Sequence, residues 1–382
     1  MPRTTRSKLF FGTTLVAIIL LFTQSEGGGT YLAMIESISF SSDGSRIVLT
    51  KLTGRDAQTP FKAYRMNVSR TLSWLDAADG KSLEIVSEDY KPGNSGPAFG
   101  YWRAGRTSAL CLPSNDQIAI SAFGGGDVTL NAGAKNSVVL PRENTAHHIA
   151  CSKTGRFLAT SGMDKMTVFD TKTGSVAMRI ETQGLPFVFA SLISFAFNES
   201  RIVFASDSGV SIWDISTSTQ VATITDERDE WVNAVAVLPD DTVITCSNGG
   251  ARQYDFAGRL VETIAKDGKR LCSVAADGKL FAIYGGDSLQ IYGLNPIKRL
   301  QTIWFKHASS ICLSPNSNVI AVGDFHGHIA LFDTVTGQQQ WCANPPGRYR
   351  LPFSLPAISL FVWICLAWRS YRRSNSDDHQ KD

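Results

Sequence analysis

SLISFAFNESRIVFASDSGVSIWDISTSTQVATI, from Ser191 to Ile224, reads as four short strands separated by polar turns. An alternating run from Leu192 to Phe197 comes first, followed by a turn at Asn198 to Ser200. Ile202 to Ala205, a turn at Ser206 to Gly209, and Val210 to Trp213 follow, with Asp214 closing the third strand and Gln220 to Ile224 forming the fourth. Period-two alternation broken every few residues by Ser, Asp, Asn and Gly marks half-buried strands, and no 3.6-residue spacing competes with it.

The unit recurs. Aligning on the residue pair that ends the third strand gives Leu75-Asp76, Leu130-Asn131, Phe169-Asp170, Trp213-Asp214, Tyr254-Asp255, Tyr292-Gly293 and Phe332-Asp333, with successive spacings of 55, 39, 44, 41, 38 and 40 residues. Apolar strands running into polar turns lie upstream, as in FSSDG at Phe40 to Gly44, CSKTG at Cys151 to Gly155 and VAADG at Val274 to Gly278. A period near forty residues built of four strands signals a closed array of sheets. The pattern resembles the WD-repeat family of β-propellers, of which Trp213-Asp214 is the one literal Trp-Asp. His148 and His307 stand near the family's Gly-His position, and Asp164, Asp207 and Asp324 stand at its turn aspartate. The resemblance covers Ala33 to Trp341 and implies an all-β, seven-bladed propeller domain over residues 29–343.

Both ends differ from this pattern. Arg3, Arg6 and Lys8 precede fourteen apolar residues, Leu9 to Phe22, and then TQSEGGG, so residues 1–28 read as a signal peptide or an N-terminal anchor. Leu351 to Trp368 holds eighteen residues without a charge, bracketed by Arg348 and Arg350 on one side and Arg369, Arg372 and Arg373 on the other. That is a transmembrane helix by length and flanking charge, preceded by a linker at residues 344–350 and followed by a short cytoplasmic tail at residues 369–382. The expected topology is single-pass, or double-pass if the first segment is retained, with the propeller outside the cytoplasm. Cys365 lies in the span. The other six cysteines, Cys111, Cys151, Cys246, Cys272, Cys312 and Cys342, are even in number but lack a framework spacing, and they read as small buried hydrophobes, with pairing left open. Asn67-Val68-Ser69 and Asn198-Glu199-Ser200 are glycosylation sequons.

Little points to catalysis. A net charge of +3 and the lack of a basic, aromatic-interleaved run argue against nucleic acid. GNSGP at Gly93 to Pro97 lacks a glycine of the trypsin-like nucleophile loop and reads as a turn. Asp324-Phe325-His326-Gly327-His328 places two histidines two apart, which suits a polar turn better than a complete metal site. LFDTVTGQQQW at Leu331 to Trp341 resembles the docking motif of pyrroloquinoline-quinone dehydrogenase propellers, with Asp333, Thr336, Gly337 and Trp341 in register. The sibling units lack its tryptophan. The expectation is a non-catalytic, membrane-tethered scaffold that binds a protein, with no cofactor, no metal and no small-molecule substrate. The quinoprotein is the alternative. Two long insertions, Leu52 to Asn67 between the second and third strands of the first unit and Ser87 to Thr107 before the second unit, fall on one face by strand direction. The second carries Phe99, Tyr101, Trp102, Arg103 and Arg106, the combination that membrane interfaces and protein hot spots favour, and these are the candidate contact residues.

Overall fold

The computed structural model describes residues 31–59, 62–88, 109–112, 117–121, 128–130, 138–140, 148–161, 165–181, 192–206, 209–225 and 232–344. The N-terminal segment, the apolar segment 351–368, the tail and all of the linker except Asn344 lie outside the described residues. Among the described residues no helix is long and apolar enough to cross a membrane.

Among the described residues twenty-eight strands form seven antiparallel sheets, each built from four consecutive strands in the order 1-2-3-4. The first holds β1 (Tyr31–Phe40), β2 (Arg46–Thr59), β3 (Lys62–Asp76) and β4 (Ser82–Glu88); the second holds β5 (Ala109–Leu112), β6 (Gln117–Ser121), β7 (Val128–Leu130) and β8 (Val138–Val139). In the third are β9 (His148–Cys151), β10 (Phe157–Ser161), β11 (Lys165–Asp170) and β12 (Val176–Glu181), and in the fourth β13 (Ile193–Phe195), β14 (Arg201–Ser206), β15 (Gly209–Asp214) and β16 (Thr219–Ile224). The fifth comprises β17 (Val232–Val237), β18 (Thr242–Ser247), β19 (Gly250–Asp255) and β20 (Leu260–Ala265). The sixth comprises β21 (Leu271–Val274), β22 (Leu280–Gly285), β23 (Ser288–Gly293) and β24 (Lys298–Trp304), and the seventh β25 (Ala308–Leu313), β26 (Val319–Asp324), β27 (Ile329–Asp333) and β28 (Gln339–Ala343). First strands of successive sheets lie side by side, and β25 returns to β1. This is a β-propeller.

Seven equivalent blades are not what forms. Six blades are built in full, and in the second sheet the described residues form strands of only four, five, three and two residues.

The core lies between sheets. Ile202, Phe204, Ala159 and Val168 pack the third sheet on the fourth, and Val203, Ala205, Val235 and Val243 pack the fourth on the fifth. A second strand such as β14 is therefore covered on both faces, so Ile202-Val203-Phe204-Ala205 runs apolar without alternation. The fourth strands β16 and β20 line the rim and are mostly exposed.

The repeated turns have a chemical cause. Between third and fourth strands the aligned aspartate caps its own turn: Asp170 Oδ1 accepts the N–H groups of Lys172 and Thr173 at 3.0 and 3.1 Å, and Asp214 Oδ1 those of Ser216 and Thr217 at 2.9 and 3.0 Å. Asp333 does the same for Val335 and Thr336. This is the Asx-turn logic, and it explains why an aspartate ends these strands. The Trp213 indole N–H, by contrast, is buried without a hydrogen-bond partner. Between first and second strands a positive φ recurs at one place, supplied by Gly44, Gly155 and Gly278 in three units and by Glu199, Asp241 and Ser317 in three others.

Candidate binding face at the seam

Antiparallel order within every sheet places the connections from second to third strand, and from fourth strand to the next sheet, on one face of the ring. The expected insertion at Leu52 to Asn67 is on this face, but it is not a loop. β2 and β3 continue as a paired ribbon through Arg55–Asn67, Asp56–Met66 and Ala57–Arg65, ending at Thr59–Lys62 after a register shift. β1 accompanies the ribbon to Arg55 and β4 reaches Arg70, so the last stretch is two-stranded and projects beyond the other turns. β4 ends and β5 begins on the same face. Phe99, Tyr101, Trp102, Arg103 and Arg106, between those two strands, lie outside the described residues.

The seam where the seventh sheet meets the first concentrates this face's chemistry. Asp324, at the end of β26, is buried, and its Oδ1 accepts the N–H groups of His326 and His328, each at 2.8 Å. Its Oδ2 stands 3.0 Å from His328 Nδ1. The Phe325 N–H donates to the His307 carbonyl at 3.1 Å, which pins the turn to the segment entering β25. Three imidazoles therefore gather: His307 meets His326 edge-on with ring centroids 5.8 Å apart, and His326 lies 6.4 Å from His328. Lys51, wholly buried at the base of the ribbon, donates from Nζ to Asn344 Oδ1 and lies against Gly327, where an added Cβ would stand 2.8 Å from its Cε. Partial desolvation at its rim position, and then the negative charge of Asp324, push the Cys342 thiol up.

On the same face, Trp304 ends β24 with 79% of its surface exposed, and Lys306, His307 and His326 are exposed as well. Asp324-Phe325-His326-Gly327-His328 is thus the polar turn expected between second and third strands. Among the described residues no group of three or more His, Cys, Asp or Glu side chains is arranged to hold a metal ion. His307 and Trp304 were not singled out for this face from sequence. The available signal was an aromatic-rich run, Trp304-Phe305-Lys306-His307, closing a fourth strand where other units are polar.

The ring encloses a cavity of about 300 Å³ lined by the first strands. Its wall carries a repeated inter-sheet bond: the Val237 N–H donates to Ser194 Oγ and the Leu313 N–H to Ser273 Oγ, each at 3.0 Å. Cys312 occupies the corresponding place facing the Phe40 backbone, and burial pushes its thiol up to about 12. The quinoprotein-like stretch has a packing role here. Trp341 crosses the seam, its Nε1–H donating to the Ala77 carbonyl at 2.9 Å, and its ring lies so close to Gly80 that a Cβ there would come within 2.8 Å.

No known family model matches the chain, and no curated protein matches it.

Proposed function

We propose that this propeller is a non-catalytic binding scaffold of divergent WD-repeat type, held to a membrane by residues 351–368 with its blades on the extracytoplasmic side. It meets a protein partner with the face that carries the ribbon, the histidine corner and Trp304. The observation that carries the reading is the exposure of Trp304 on the face that also exposes Lys306, His307 and His326. A large aromatic left open to water beside cationic and imidazole groups is the composition of an interface hot spot. The described chain ends on this same face at Asn344. The quinoprotein alternative is disfavoured by Trp341, whose indole is engaged in joining the last blade to the first.

A photo-crosslinking amino acid placed at position 304 of the full chain in its native membrane should give a discrete protein adduct. The same group at Val335, 82% exposed in a turn on the opposite face, should give none. Adducts from 335 and not 304, or from neither, would reject the face.

A further inference from the structure

We propose that Cys246 and Cys272 are a redox pair that closes to a disulfide across the interface between the fifth and sixth sheets. Cys246 sits in β18 and Cys272 in β21, and both belong to one apolar cluster with Ala234, Ile244, Phe281 and Ile283. The two thiols are free and hydrogen-bond to each other. Their access differs. Cys246 is wholly buried, whereas Cys272 keeps 8% of its surface and is one of the residues that line the central cavity, the side from which a small oxidant would arrive.

That asymmetry assigns the order of steps. The Cys272 thiolate attacks one sulfur of a low-molecular-weight disulfide, forming a mixed disulfide and expelling one thiolate. Cys246 then attacks the Cys272 sulfur, the protein disulfide forms, and the second small thiol leaves. Two protein thiols are oxidised, one small disulfide is reduced to two thiols, and the two protons pass from the cysteines to the departing sulfurs. The bond to Cys272, and then burial, hold the Cys246 thiol well above its ordinary range, while the nearby Lys269 ammonium acts in the opposite direction. The Lys269 backbone N–H bonds the Ser247 carbonyl at 2.8 Å, and its ammonium pairs with Asp267 at 2.7 Å. This pairing rests on the contact alone and is independent of which side of a membrane the ring occupies.

The test uses the full chain, purified reduced in detergent, treated with bis(2-hydroxyethyl) disulfide, then denatured and alkylated. Trypsin separates the two cysteines into peptides spanning residues 229–252 and 271–279. The expected product is one species in which these peptides are joined, with a melting temperature about 5 °C above that of the reduced protein. Cys246→Ser should instead trap the mixed disulfide on Cys272, and Cys272→Ser should leave Cys246 unmodified. Full alkylation of both cysteines in treated wild type would overturn the proposal, as would a cross-link from Cys272 to Cys312. Wild-type mapping decides the matter even where a serine variant does not fold.

Discussion

Ser309 Oγ donates at 2.6 Å to the carbonyl of Ile35, a residue 274 positions earlier, and it also faces the Gly323 carbonyl at 3.2 Å. This bond joins the last sheet to the first. Among the described residues no strand crosses the seam, because each sheet is completed by its own four consecutive strands. Side chains close the ring instead. Ile35 packs so tightly on Gly323 that a Cβ there would lie 2.5 Å from it, and Ile38, Ile47 and Leu49 meet Ala321, Ile329 and Leu331.

Closure should therefore be the most sensitive point of the fold. Ser309→Ala leaves the Ile35 carbonyl without its donor and should cost about 1–2 kcal/mol. Gly80→Ala should cost more, about 2–4 kcal/mol, because it strains a φ of +71° and drives a methyl into the Trp341 ring. Urea denaturation gives both values, and hydrogen exchange should show β1 losing protection first. Equal loss of protection in β13 would contradict a seam-first opening.

The inter-sheet bond on the cavity wall allows a gain. Ala236 stands where Ser194 and Ser273 supply their hydroxyls, and Val274 stands where Val237 and Leu313 donate. Ala236→Ser should add that bond between the fifth and sixth sheets and raise stability by about 0.5–1.5 kcal/mol. A destabilised variant would show that the position has no room for a hydroxyl.

Acid should loosen the turns. The Ser41 hydroxyl, and then the Ser45 N–H and hydroxyl, lower the Asp43 carboxyl to about 2. Bonds from Ser216 and Thr217 lower Asp214, and those from Thr336 and Val335 lower Asp333. A carboxyl depressed in the folded state contributes stability that is fully present above its unfolded value near 4 and is lost as pH falls below it. The urea midpoint should thus be flat from about pH 7 to 5 and fall from about pH 4 toward 2. Asp43→Asn should remove part of that slope, and a midpoint that begins to fall above pH 6 would point to other groups.

Trp304→Ser should leave the urea midpoint within about 0.5 kcal/mol of wild type, since an exposed side chain contributes little to folding. The same change should abolish the crosslink read from a neighbouring reporter at His307. A large loss of stability would mean that the indole belongs to the core.

Much of the architecture was legible because its signals are local. Four strands within residues 191–224 fall within a residue or two of their expected bounds, since alternation and turn chemistry are properties of neighbours. The aligned aspartates were visible as a repeat, and their cause is the turn each one caps. Asp324 likewise occupies the turn expected for it, whereas Asp164 and Asp207 lie outside the described residues. The reduced second sheet was not legible, because Leu130-Asn131 keeps the spacing although its strands are short. Residues 52–67 look like an insertion, with Gly54 and Pro60 as breakers, yet their pairing extends two strands that already exist. The histidine corner was half legible. His326 and His328 are neighbours in sequence, whereas His307 arrives from the preceding connection and Lys51 from the far end of the chain. Of the cysteines, Cys246 and Cys272 are buried as expected, but Cys342 is exposed on a rim strand.

A ring whose sheets are each finished before the next begins has a direction in time. As the chain emerges from its N-terminus, six sheets can be completed before Ala308 exists, and until then the assembly is a crescent with one open flank. Ile35, Ile47 and Leu49 wait there uncovered until the final forty residues of the domain arrive. A chain stopped short of Ser309 would present that apolar flank to any protein that guards nascent chains.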